Sequence, residues 1–247
     1  MKKKLKIVLP LLFILVIVFA PAKFISAFIP NNSGVELNGL TGTIWNAKIS
    51  SLNTKGWAFE EVKVDTNALS LLTGKLGADV IIDKGDIKGS VSFSAQDDKN
   101  FELANANLNT SLSKFEKYIP FKGVELNGTL ASRQLHLSLV NSKPTMIGGS
   151  TSWNDGGVVF NGKAWQLGDF SVHWITNQNG DIKGVIQKSE NILDIKGDIN
   201  ISKNGLLEFK GSVSTRIDKQ ILSAFSFFAD GKKENGRQAI KFKKKIW

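Results

Sequence analysis

Chemistry at neutral pH would fall first to the two histidines. His136 lies between Leu135 and Leu137, and His173 lies between Val172 and Trp174. An imidazole that acts as a general base or metal ligand needs a carboxylate or a second histidine set against it. Neither stretch supplies one, so both histidines read as water-facing spacers on alternating strands. Two acid pairs come next: Asp83 and Asp86 bracket Lys-Gly, and Asp97 adjoins Asp98. Hydrolytic carboxylates need a fixed separation across a cleft, whereas acids beside glycine are ordinary turn formers. The chain has no cysteine, which removes disulfides, thiolate metal sites and thiol nucleophiles together. No phosphate loop, dinucleotide fingerprint, GxSxG or HExxH occurs. The expectation is a protein that is not an enzyme and uses no cofactor or metal.

The elements that would position these residues follow a period of two. Val62 and Val64 alternate with charged residues, Val91 and Phe93 alternate with serines, and Leu135, Leu137 and Leu139 share a face, as do Phe170, Val172 and Trp174. One apolar and one polar face per stretch is the pattern of antiparallel sheet covered on one side. Turn sequences separate the stretches at 83–86, 154–157, 177–181, 203–205 and 234–236, where asparagine and glycine accept a positive φ. Three interruptions have helical spacing, at 67–73, 110–118 and 218–228, and are expected to cap the sheet ends. Trp153, Trp165 and Trp174 fall on neighbouring strands and read as core rather than as a ligand strip. The fold class is therefore all-β: a long antiparallel β-meander in a twisted or curled sheet, with a few short capping helices, preceded by one N-terminal transmembrane helix.

That helix is read from the first segment. Lys2, Lys3, Lys4 and Lys6 precede an uncharged run from Ile7 to Ala22, long enough to cross a bilayer when the lysines snorkel and the following apolar residues contribute. Ile7, Leu12, Phe13, Val16 and Phe19 are the anchor residues. Ala20-Pro21-Ala22 also mimics a signal-peptide cleavage site, but the run is long for that, and an uncleaved anchor is preferred. The positive-inside bias keeps 1–6 cytoplasmic, makes 7–29 the anchor with its juxtamembrane part, and places 30–247 in the periplasm. The net charge of +10 resides largely in two acid-free lysine clusters, that one and Lys241, Lys243, Lys244 and Lys245. The body between them is almost neutral, so no nucleic-acid partner is expected.

GVELNG occurs at 34–39 and again at 123–128, and GDIKG at 85–89 and 180–184. The repeats suggest two related halves, 30–120 and 121–247; chance likeness among glycine-bearing strands would give the same letters. In either case Gly39 and Gly128 would supply backbone freedom and Glu36 and Glu125 would face water.

The anchor, its Pro21-Ala22 close and the phrase GLTGTIWNAKI resemble the type II secretion system protein N family. The letters that carry the family's glycine-threonine-x-tryptophan phrase are Gly42, Thr43 and Trp45; Leu40, Ala47 and Ile49 depart from it. Further similarity runs through 69–82, the Ile119-Pro120 junction, 149–174 and 227–242. The resemblance implies an accessory subunit in the bacterial inner membrane, single-pass, with its main domain in the periplasm. It implies other type II secretion subunits as partners and no catalytic residue. The alternative is an AsmA-like periplasmic protein that binds or transfers lipid in an apolar groove, which requires that the apolar face be left open.

Overall fold

A computed structural model describes residues 16–27, 29–30, 32–118, 123–160, 162–188, 190–224 and 229–247. The contacts divide the chain into two units, one ending at Gln96 and one beginning at Asp97.

The first unit is an antiparallel sheet of β1 (Val35–Asn38), β3 (Asn46–Thr54), β4 (Trp57–Asn67), β5 (Leu76–Gly85) and β6 (Ile87–Ala95), in that order, with the two-residue β2 (Thr41–Gly42) paired to β3. Alternation sets its two faces. Ala47 pairs with Val64, Ile49 with Val62, and Val64 and Val62 pair in turn with Val80 and Ile82. The other face carries cross-strand ion pairs, Lys63 with Asp83 at 2.9 Å and Lys84 with Glu61 at 2.6 Å. Pairs this exposed contribute little to stability; their role is to keep that face wet.

The second unit is a longer meander: β7 (Phe101–Ser111), β8 (Val124–Val140), β9 (Lys143–Phe160), β10 (Lys163–Thr176), β11 (Ile182–Ile186), β12 (Lys196–Ile201), β13 (Leu206–Ser214), then β15 (Arg237–Lys245) and β14 (Ala229–Glu234) at the edge. The turns expected at 83–86, 177–181, 203–205 and 234–236 each join two strands. The one expected at 154–157 does not. It lies inside β9 as a bulge, with Asp155 at φ 51° and the β9–β10 register slipping between Gln166 and Phe170. A bulge and a turn both use a positive φ, and here Trp153 fills the space that the glycines leave. A Cβ on Gly156 would stand 2.9 Å from the Trp153 ring, and one on Gly128 2.8 Å from its Nε1.

Trp153 therefore closes one side of the main core. It stacks on Phe170 with centroids 5.3 Å apart, and its Nε1–H donates to Asn127 O at 2.8 Å. Leu167, Leu193, Val213, Ile221 and Ile240 are buried together beneath it, with Trp165 packed alongside. Trp174 is half-buried and donates to Thr151 Oγ1. All three tryptophans thus serve the sheet.

Of the expected caps, α3 (Lys219–Ala224) behaves as one, seating Ile221 in the core. The segment after Thr110 forms a 3-10 helix, Leu112–Tyr118, whose Glu116 accepts Leu126 N–H at 2.9 Å. By contrast α2 (Ala68–Leu72) does not cap: Leu69 is 72% and Leu72 83% exposed.

The C-terminal lysines prove to be strand residues. Lys243 lies opposite Glu208, and Lys243 and Lys210 reach its carboxylate at 3.0 and 3.2 Å. Lys243 above all, and then Lys210, hold that carboxyl below its ordinary range. A depressed carboxyl contributes stability that is fully present above the unfolded value, about pH 4.3, and is lost as pH falls through the folded one. Glu208→Gln should therefore lower the melting temperature at pH 7, and thermal melts in progressively more acid buffer should show the gap to wild type closing.

Candidate functional site: a clasp on the N-terminal segment

Among the described residues the two histidines and the two acid pairs are dispersed. His173 is exposed and shares a hydrogen bond with Ser150 at 3.1 Å, and His136 is half-buried opposite Gly148. Asp86 accepts Ala58 N–H at 2.9 Å, and Asp97 accepts the N–H groups of Lys99 and Asn100 at 2.8 Å each. The Asp97 bonds are those of a turn, and the Asp86 bond ties its loop to β4. Among the described residues no group of three or more histidines, aspartates and glutamates is placed to hold a metal.

Gly42, Thr43 and Trp45 do converge, and on a single target. The chain leaves β1 through Gly39 and Leu40, forms β2, and turns tightly into β3. Thr43 holds the turn, its N–H donating to Asn46 O at 3.0 Å and its Oγ1 accepting Asn46 N–H at 3.2 Å. Gly42 stands at φ +87°, where a Cβ would come within 2.2 Å of Asn46 O. Only glycine fits that close approach at a positive φ.

The outer edge of this turn grips residues 17–22. Ala22 N–H donates to Gly42 O at 2.9 Å, and Pro21 bridges to Thr43. Ile44 N–H donates to Ala20 O at 2.9 Å, and Trp45 Nε1–H to Ile17 O at 3.0 Å. Ala22, with no exposed surface, sits against buried Leu40 and Ala47, backed by Ile49 and Val64. On its inner side the turn is fixed to β4, since Thr66 N–H donates to Trp45 O at 2.7 Å. Leu40, Ala47 and Ile49, the letters that depart from the family phrase, form this small apolar seat. Sequence alone displayed both Pro21-Ala22 and Gly-Thr-x-Trp, but no local period announces that they touch.

Of the anchor residues, Ile7, Leu12 and Phe13 lie outside the described residues. Val16 is 59% and Phe19 66% exposed, and Ile17, Val18, Phe24 and Ile25 are exposed with them; the last two belong to α1 (Lys23–Ser26). No helix among the described residues is long and apolar enough to cross a membrane.

Residues 33–240 match the family of type II secretion system (T2SS) protein N. The chain belongs to that family. A type II secretion system protein N of Vibrio cholerae serotype O1 is 30% identical over 70 residues, which is 28% of this chain and 28% of that protein. No solved structure matches the chain. Family membership relates the chain to type II secretion. It favours the secretion reading over the AsmA-like lipid one.

The indole bond can be tested alone. Trp45→Phe keeps the ring's apolar bulk and removes the donor to Ile17 O, at a cost of about 1 kcal/mol. Hydrogen exchange should show the amides of Ala22 and Ile44 opening several-fold faster, with β8–β10 unchanged.

Proposed function

We propose that the chain is an accessory inner-membrane subunit of the type II secretion system. Residues 7–29 are a single-pass anchor with its juxtamembrane segment, 1–6 lie in the cytoplasm, and 30–247 form a periplasmic β platform. The platform meets other subunits through its strand edges during export of folded proteins. Family membership over 33–240 supports the system. The clasp carries the rest: exposed apolar residues on both sides of Ala20-Pro21-Ala22 suit a lipid phase, while the bonds from Gly42, Ile44 and Trp45 fix the sheet to that segment without a flexible linker. The first unit, held so, would present its β1 edge at a constant height above the bilayer. The edges are β1 in the first unit and β14 in the second, each with an unpaired row of backbone groups suited to strand addition.

The test is complementation. In a strain lacking the gene, folded cargo should accumulate in the periplasm, and wild type should restore its release. Normal export by the deletion strain would end this reading.

A further inference from the structure

Helix α2 is built inside out. Its ends are closed by local bonds: Asn67 Oδ1 accepts Leu69 N–H at 3.0 Å, Ser70 Oγ donates back to Asn67 O at 2.6 Å, and Lys75 N–H closes onto Ser70 O at 3.1 Å. Ser70 packs down on buried Gly77, where a Cβ would stand 2.8 Å from Ser70 Oγ. With Ser70 inward, Leu69, Leu71 and Leu72 are directed out, at 72%, 46% and 83% exposure, and Leu76 beside them is 52% exposed. Three exposed leucines on five helical residues are costly in water, at about 25 cal/mol per Å² of apolar area.

Register places this patch beside the clasp. Asn46 pairs with Asp65, Asn67 with Gly77 and Leu76 with Ala95, so α2 and Leu76 stand at the end of the first unit's sheet that also carries 41–46 and the segment held there. The opposite end carries the Lys55-Gly56 turn. The charge is suited too: Lys75 is exposed, and no acid occurs from Thr66 to Ala78.

We infer that α2 is a second membrane contact, its leucines entering the phospholipid leaflet from which the N-terminal segment emerges and Lys75 meeting the headgroups. The inference rests on the anchor reading above. A short amphipathic element lies in the interface by burying apolar area while its basic residues remain among the headgroups. Together the anchor and α2 would fix the platform's rotation about the span, which a single span cannot do.

The absence of cysteine permits single-site labelling of the full chain. Leu72→Cys, Phe19→Cys and Lys55→Cys, each at an exposed position, would carry an environment-sensitive fluorophore. The proteins would be reconstituted in vesicles of phosphatidylethanolamine and phosphatidylglycerol containing nitroxide-labelled lipid. The label at 72 should be blue-shifted and quenched several-fold more than that at 55, approaching the label at 19. Quenching at 19 with a water-like label at 72 would overturn this inference alone. A blue-shifted but unquenched label at 72 would also overturn it, because protein rather than lipid would then cover the leucines. Absence of quenching at both 72 and 19 would remove the anchor reading as well.

Discussion

Gly42→Val should release the N-terminal segment from the sheet. At φ +87° a β-branched residue is a severe outlier, and holding one in such a region costs about 1–3 kcal/mol before any clash is counted. The clash adds to this, because the new Cβ meets Asn46 O, a backbone atom that the Thr43 turn holds in place. The turn must open. Opening breaks the bonds to Ala20 and Ala22 and exposes the seat formed by Leu40 and Ala47. A loss of about 3 kcal/mol corresponds to about a hundredfold more of the open form. Lys23 borders the clasp and is exposed, so tryptic cleavage after Lys23 should accelerate by about that factor. Trp45→Phe, which removes one bond and adds no strain, should accelerate it only several-fold.

The second large effect lies in the other unit. Trp153→Ala removes the stack on Phe170, the bond to Asn127 O and the ring lying over Gly128 and Gly156. Those glycines cannot fill the space, so the void persists, and truncating a large aromatic in a core typically costs 3–5 kcal/mol. Trp153 is half-buried, so about 3 kcal/mol is expected. Chemical denaturation followed by far-ultraviolet circular dichroism should show the transition of β8–β13 moving to markedly lower denaturant. Trp165→Ala, at the flank of the same core, provides a comparison in a neighbouring strand.

Alternation made the strands legible because a sheet with one wet face repeats every two residues. Val62 and Val64, Val91 and Phe93, and Phe170 and Val172 all lie on strands. Both GVELNG copies begin strands, with Glu36 and Glu125 in water and Gly39 and Gly128 at φ +65° and +105°. What surrounds them differs. Among the described residues β1 pairs with β3 alone, while β8 lies between β7 and β9, and Gly128 stands in a bulge within an unbroken strand. Letters specify a backbone angle but not its use, which is also why 154–157 read as a turn. For α2 the helical spacing was visible, and hydropathy pointed its leucines inward. Ser70, set against Gly77, takes the inward position instead. The clasp joins positions twenty or more residues apart, mostly through backbone groups, which leave no trace in residue type beyond the glycine and the tryptophan that close it.

The most direct test of the central claim is affinity purification of the full-length protein from its own membranes in mild detergent, with bound proteins and lipids identified by mass spectrometry. Type II secretion subunits should be recovered at defined stoichiometry, without one phospholipid bound per chain. Stoichiometric phospholipid and no secretion subunit would contradict the account and leave the family relationship as a guide to the fold.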